Sequence, residues 1–225
     1  MANNTNTIHD IHNYNIDIEN REIYLHSYIL DAEDEPGTDY RSAILFEKNL
    51  RYLNLLSLEP ILIHMHLPGG DWEDCMGIYD AIKKSKAKTI ILAYAKVQSA
   101  SSVIFQAPDI RILMPNVNML IHYGTFGLTE SDHSRTPISH TKWHEQESAK
   151  MVDIFTESCM VSELAKNKNW RKMIAKKHII SQLNNKGDWI LTSDEAVYYG
   201  FADGILGSKK YPNIDYVKTL IKKLK

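Results

Sequence analysis

Cysteine is scarce in this chain. Cys75 and Cys159 are the only two in 225 residues, too few and too far apart to read as a disulfide framework or a zinc site, which fits a reducing compartment. Long apolar runs are missing as well: mean hydropathy is −0.33, which argues against a membrane protein. Neither sign of charge dominates. Lys and Arg number 26 against 28 Asp and Glu, a formal net charge of −2, so no global positive field gathers nucleic acid, and none is expected as a partner. Met1 to Asn20 lacks a basic segment followed by an apolar one, so neither a signal peptide nor an anchor is expected and the cytoplasm is the expected location. There is no internal repeat, no low-complexity tract and no Walker-type phosphate-binding pattern. What is present is 44% hydrophobic and 24% charged residues, the composition of one ordinary globular domain that can bury a full core.

The first twenty residues are rich in Asn, with His9 and His12 three apart, and read as a mobile polar arm rather than a metal site, since nothing later supplies a third ligand. Order begins at Arg21 with a short strand around Ile23 and Leu25, then an acidic loop through Pro36-Gly37. A helical stripe of Ile44, Leu45, Leu50, Leu53 and Leu56 follows within 40–56. Ile61 to Leu67 reads as a buried strand stopped by Pro68-Gly69-Gly70, residues 74–85 as a helix, and 88–95 as a second buried strand. A helix over 99–107 and strands over 110–113 and 117–123 continue the alternation, which implies parallel strands joined by crossovers. A long helix is predicted from about Thr141 to Lys166, more basic helical sequence to Lys186, a strand at Trp189-Ile190-Leu191, and a helix over 193–199 closed by Gly200. The last segment, 207–225, is a basic amphipathic extension in which Tyr211 to Lys225 reads as a helix through Val217, Leu220, Ile221 and Leu224, free to dock on its own protomer, a neighbouring one or a partner.

Four places carry chemical potential, each with a plain structural alternative. Pro68-Gly69-Gly70 ends an apolar strand, and glycines there free backbone N–H groups to face an oxyanion or phosphate, or simply make a tight turn. Ser99 lies between a strand and a helix, where its oxygen suits an N-cap and equally a nucleophile beside free N–H groups. Ser101 and Ser102 compete with it, because periodicity does not fix which serine faces a cleft. His122 interrupts the apolar run Val117 to Tyr123 and is either a satisfied core histidine or a general base. Asp188, between Gly187 and Trp189, is either a cap or the acid that orients an imidazole. The basic run Lys166, Lys168, Arg171, Lys172, Lys176, Lys177 and Lys186 reads as a solvated face, with an interface or nucleic-acid contact as the lesser readings.

Several stretches, in order, resemble the proteolytic subunit of the Clp protease (ClpP), including its phage-type relatives. Leu67-Pro68-Gly69-Gly70 and Gly77-Ile78-Tyr79-Asp80-Ala81-Ile82 are similar to that family's strand, glycine turn and helix. Ser99 follows Gly70 by 29 positions, as in the family. SASSVIFQAPDIRILMPNVNMLIH, from Ser99 to His122, and DWILTSDEAVYYGFADGI, from Asp188, continue the match, which spans about residues 21–206. The chain departs from the family at Lys96-Val97-Gln98, where small residues are usual, at Leu67 and at His66. The 66 positions from His122 to Asp188 also exceed the bacterial spacing, with additions around 129–139 and 166–186.

The resemblance implies an α/β chain of the ClpP/crotonase-like fold: repeated β-β-α units over 21–206 with an enlarged helical handle over about 125–186. It implies a serine endopeptidase with Ser99 as nucleophile, His122 as base and then acid, and Asp188 as its orienting carboxylate. The oxyanion hole would use the N–H groups of Gly70 and Ala100. A polypeptide substrate would lie extended between Gly69, Asp71 and Trp72 on one side and Gly124, Thr125 and Phe126 on the other. No metal and no cofactor are implied. The partners implied are copies of the chain in a heptameric ring, single or stacked as a tetradecamer, and a separate AAA+ unfoldase that spends the ATP. Two other readings remain open at this level: a catalytically silent ring subunit, which Gln98 and the enlarged handle motivate, and a crotonase-type acyl-CoA enzyme, which would place acid/base carboxylates in the cleft.

Overall fold

The computed structural model describes residues 4–27, 37–124 and 136–223. In chain order the elements are α1 (Asn4–Tyr14), β1 (Ile16–Asp17), β2 (Glu22–His26), α2 (Tyr40–Leu56), β3 (Ile61–Leu67), α3 (Trp72–Lys83), β4 (Thr89–Gln98), α4 (Ala100–Ile104), β5 (Ile110–Leu113) and β6 (Asn118–Ile121). There follow α5 (Thr136–Met160), α6 (Glu163–Asn167), α7 (Lys172–Lys186), β7 (Trp189–Leu191), α8 (Ser193–Tyr198), β8 (Gly204–Ile205) and α9 (Ile214–Lys222). The main sheet runs β1-β2-β3-β4-β5-β8, parallel from β2 onward.

Covered on both faces, its central strands are apolar nearly throughout, as parallel strands must be. Ile61, Ile63, Met65, Ile91 and Ala93 face α2, α3 and α4 in the larger core. Leu62, Ile90, Leu92, Ile110 and Ile112 face the other way, against Tyr211, Val217 and Ile221. The C-terminal helix therefore docks on its own protomer. Asn213 caps α9 by accepting from the Tyr216 N–H at 2.8 Å, and Lys218 donates to Glu22 at 2.6 Å. Burying Val217 and Ile221, both 0% exposed, contributes about 1.5–3 kcal/mol each.

α2 starts where Asp39 accepts from the N–H groups of Arg41 and Ser42 while Ser42 returns a bond to the Asp39 N–H, a capping box. Its buried stripe is Ala43, Phe46, Leu50 and Leu53; Ile44 and Leu56, predicted on that stripe, are exposed.

The structure corrects several expectations. Residues 4–20, predicted as a mobile polar arm, hold α1 and β1. Ile16 is buried and pairs with Ile23 across an antiparallel ladder, the Tyr24 N–H donates to the Asn15 carbonyl at 2.9 Å, and Asn49 donates to the Tyr14 carbonyl at 2.6 Å, contacts that composition alone does not announce. The long helix expected over 141–166 begins at Thr136 and breaks after Met160. Ser162 there accepts from the Ala165 N–H at 3.1 Å and starts α6 as its cap. The predicted strand over 117–123 stops at Ile121, which leaves His122 just beyond its end.

One irregularity places the site. β4 is ten residues long and changes partner midway: Ile90–Ala93 pair with β5, and Lys96–Gln98 pair with β6. Between them Ala95 has φ 49°, a left-handed kink that bends the second half away. β6 in turn carries β7 antiparallel, and this side ladder leads into the cleft.

Candidate active site

Strand register brings three of the predicted residues together. Gln98 pairs with Leu120 on parallel β6, so the ends of these strands place Ser99 beside His122. Ile121 pairs with Trp189 on antiparallel β7, which sets His122 opposite Asp188. The side chains meet: His122 Nε2 lies 2.7 Å from Ser99 Oγ, and His122 Nδ1 lies 3.1 Å from Asp188 Oδ1. An ionised carboxylate only accepts, so Nδ1–H donates to Asp188 and Nε2 is left to accept the Ser99 hydroxyl proton.

Ser99 sits at φ 54°, ψ −133°, a conformation that costs a non-glycine residue about 1–3 kcal/mol and persists only where neighbours over-determine it. They do so here. The Ser99 N–H donates to the Leu120 carbonyl at 2.9 Å, and the Ser99 carbonyl accepts from the Ser102 hydroxyl at 2.6 Å. Ser101 is fully buried, accepts from the Gln98 N–H at 2.9 Å and reaches the Leu67 carbonyl at 2.8 Å. The two rival serines thus hold the turn, while Ser99 makes no side-chain cap bond to α4. The N-cap alternative is not realised.

The glycine turn acts at two depths. Gly69 approaches so closely that a Cβ on it would stand 2.6 Å from Ser99 Cβ. Gly69, an expected substrate contact, has its carbonyl taken by the Thr38 N–H at 2.7 Å. Thr38 also accepts from the Asp71 N–H at 2.9 Å. In a parallel bridge of that kind the middle residue, Gly70, has its own N–H turned to the opposite side. That side borders the cleft, and no hydrogen bond occupies the Gly70 or Ala100 N–H among the described residues.

The cleft has a volume of about 410 Å³. Gly70, Asp71 and Trp72 form one side, Tyr123 and Gly124 the other, and Ser99, Ala100 and His122 lie between. Thr125 and Phe126, the remaining predicted substrate contacts, lie outside the described residues. The reading from sequence missed the contribution of α5, whose Trp143, His144, Glu147, Ser148 and Met151 close the cleft. Their spacing marks one helical face, and a mixed aromatic and polar stripe there was the available signal. Asp188 is 61% exposed and His122 28%; the adjoining Trp189 is buried against Tyr199 and Phe201 and anchors the carboxylate's backbone. Burial pushes the Cys75 thiol up to about 12, which makes it inert as a nucleophile. Among the described residues no cluster of His, Cys, Asp or Glu is arranged to hold a metal, and no helix is long and apolar enough to cross a membrane.

Comparison with known proteins bears on this arrangement. A family model described as Clp protease matches residues 34–209. The ATP-dependent Clp protease proteolytic subunit 2 of Pseudomonas aeruginosa is 27% identical over 180 residues, covering 77% of this chain and 79% of that protein. Subunit 1 from Rhodococcus jostii is 26% identical over 202 residues, covering 88% and 80%. Among solved structures, a ClpP1 variant from Listeria monocytogenes superposes with a TM-score of 0.67 at 20% identity, over 86% of this chain and 95% of that one, a likeness of fold.

Proposed function

The chain belongs to the Clp protease family and is a serine-type peptidase of that kind, and from that premise we propose that it hydrolyses peptide bonds through Ser99, His122 and Asp188. The observation that carries the assignment is the unbroken hydrogen-bonded chain from Ser99 Oγ through His122 to Asp188. Ser99 Oγ attacks the scissile carbonyl as its proton passes to His122 Nε2, and Asp188 stabilises the resulting imidazolium. Negative charge develops on the carbonyl oxygen, where the N–H groups of Gly70 and Ala100 receive it; one such donor contributes about 10²–10³ in rate. His122 then gives its proton to the leaving amine. Water, activated by the same imidazole, releases the acyl group and restores Ser99.

The substrate is a polypeptide lying extended between Asp71 and Trp72 on one side and Gly124 on the other. Main-chain hydrogen bonds supply affinity in such strand addition. No cofactor is needed for these steps. The relatives are named ATP-dependent, and since the sequence has no phosphate-binding motif of its own, ATP is spent by a separate AAA+ unfoldase. The chain works in the cytoplasm as a homo-oligomeric heptameric ring, single or stacked as a tetradecamer.

Hydrolysis of a fluorogenic peptide tests the chemistry: Ser99→Ala lowers kcat by about 10⁶, and a loss of only severalfold overturns the assignment. A well-folded ring with no hydrolysis at all would instead mark a silent subunit. Native mass measurement tests assembly, where a seven-fold multiple of 25.9 kDa is expected and an active monomer contradicts the ring.

A further inference from the structure

The wall of the cleft facing the triad is supplied by α5, whose residues ahead of Met151 are largely exposed. Glu147, with Thr136, His144 and Ser148, is one of the half-buried residues on this stretch. Its side chain is only 13% exposed; Oε2 accepts the indole N–H of Trp72, and Oε1 accepts from Lys150 Nζ at 2.8 Å. Trp72 is the first residue of α3, two positions after Gly70. One carboxylate therefore clasps the oxyanion-hole segment to the handle helix, with a charge-assisted bond of the stronger kind.

The same carboxylate brings negative charge to the cleft wall. Among the described residues that line it, Asp71 and Glu147 are acidic and none is Lys or Arg. Lys150, 60% exposed, pairs with Oε1 at 2.8 Å and offsets part of that charge. The carboxylate itself lines the cleft.

We propose that Glu147 is a specificity-determining residue: through Trp72 it fixes the wall bordering a bound peptide, and its charge turns away peptides with an acidic side chain beside the scissile bond. The proposal rests on Ser99 being the nucleophile. A peptide carboxylate a few ångströms from Glu147 meets like-charge repulsion in a site of reduced dielectric, enough for about tenfold discrimination.

The test uses paired fluorogenic peptides on the full chain, differing only by Glu against Gln, or Asp against Asn, on the acyl side of the cleaved bond. The wild type favours the amide member by about tenfold or more in kcat/KM. In Glu147→Gln, where an amide oxygen still accepts from Trp72, the preference shrinks to less than about threefold. Glu147→Ala and Trp72→Phe each break the clasp, and KM for the neutral peptide rises about tenfold with a smaller change in kcat. Discrimination persisting in Glu147→Gln, or KM unmoved in both clasp variants, overturns the proposal. Fluorophosphonate labelling of Ser99 on the same samples keeps the two readings apart. No label on the wild type refutes the triad and this proposal with it, whereas normal labelling with unchanged discrimination refutes Glu147's role alone.

Discussion

Gly70→Ala separates what the glycine turn does for the fold from what it does for chemistry. Gly70 has φ 144°, and a Cβ added there would stand 2.2 Å from the Thr38 nitrogen and 2.3 Å from its carbonyl oxygen. Both are backbone atoms, and both belong to the residue that bridges the turn at 2.7 and 2.9 Å. A methyl group cannot enter without breaking that bridge. Backbone strain of about 1–3 kcal/mol and overpacking of about 1–3 kcal/mol together remove roughly 3–5 kcal/mol, a third or more of an ordinary domain's stability. For a chain of this length that lowers Tm by roughly 10–15 °C. Catalysis falls further, because the displaced N–H no longer meets the developing oxyanion; a loss of at least about 10² in kcat is expected. Gly207→Ala is the matched control: its φ is 88°, yet a Cβ meets nothing within 4 Å, so it carries the backbone cost alone, about 1–2 kcal/mol. Thermal unfolding and peptide hydrolysis, run on both variants, decide the matter. Gly70→Ala matching Gly207→Ala in Tm and in rate would refute both the bridge argument and the placement of the oxyanion hole.

Other expectations follow from the same geometry. Asp188→Asn lowers kcat by about 10²–10⁴, toward the smaller figure because the 61% exposed carboxylate can be replaced in part by water; steady-state kinetics checks this. Burial opposes the charge on Glu22, but hydrogen bonds and charges from His64 and Lys218 hold its carboxyl well below the usual range, at about 2. The folded pKa is depressed, so the stabilisation is present above about pH 4.5 and is lost as pH falls toward 2, amounting to about 3 kcal/mol. Glu22→Gln should therefore lower the unfolding free energy at pH 7 and flatten its dependence below pH 4.5, as urea titrations at several pH values will show. Val217→Asp places an unpaired charge in the cluster under α9 and costs on the order of several kcal/mol; limited proteolysis should then release the C-terminal helix.

Much of the fold was legible because burial on both faces leaves an unmistakable trace. Ile61–Leu67 and Thr89 onward are apolar runs that a covered parallel strand explains. The site was legible as separate candidates. Ser99, His122 and Asp188 each had a structural alternative, and what resolves their geometry is register: a kink at Ala95 and two short ladders, neither of which leaves a pattern in composition or periodicity. The different surroundings of Gly69 and Gly70, one against Ser99 and the other against Thr38, are set by the turn's backbone, and a sequence does not say which of two adjacent glycines meets which neighbour. The docking of residues 4–20 escaped notice because it rests on the pairing of Ile16 with Ile23 and on the Asn49 side chain, 35 positions from the Tyr14 carbonyl it bonds. The break at Val161 carries no Gly or Pro, only the Ser162 cap. The Trp72–Glu147 clasp joins residues 75 apart and belongs to no local motif.

The central claim is that the Ser99 hydroxyl, activated by His122, is the nucleophile. Treating the purified chain with a fluorophosphonate and locating the adduct by peptide mass mapping tests it most directly. One label per chain is expected on Ser99, absent in Ser99→Ala and strongly slowed in His122→Ala. Label on Ser101 or Ser102, or a folded chain that takes none, would contradict it.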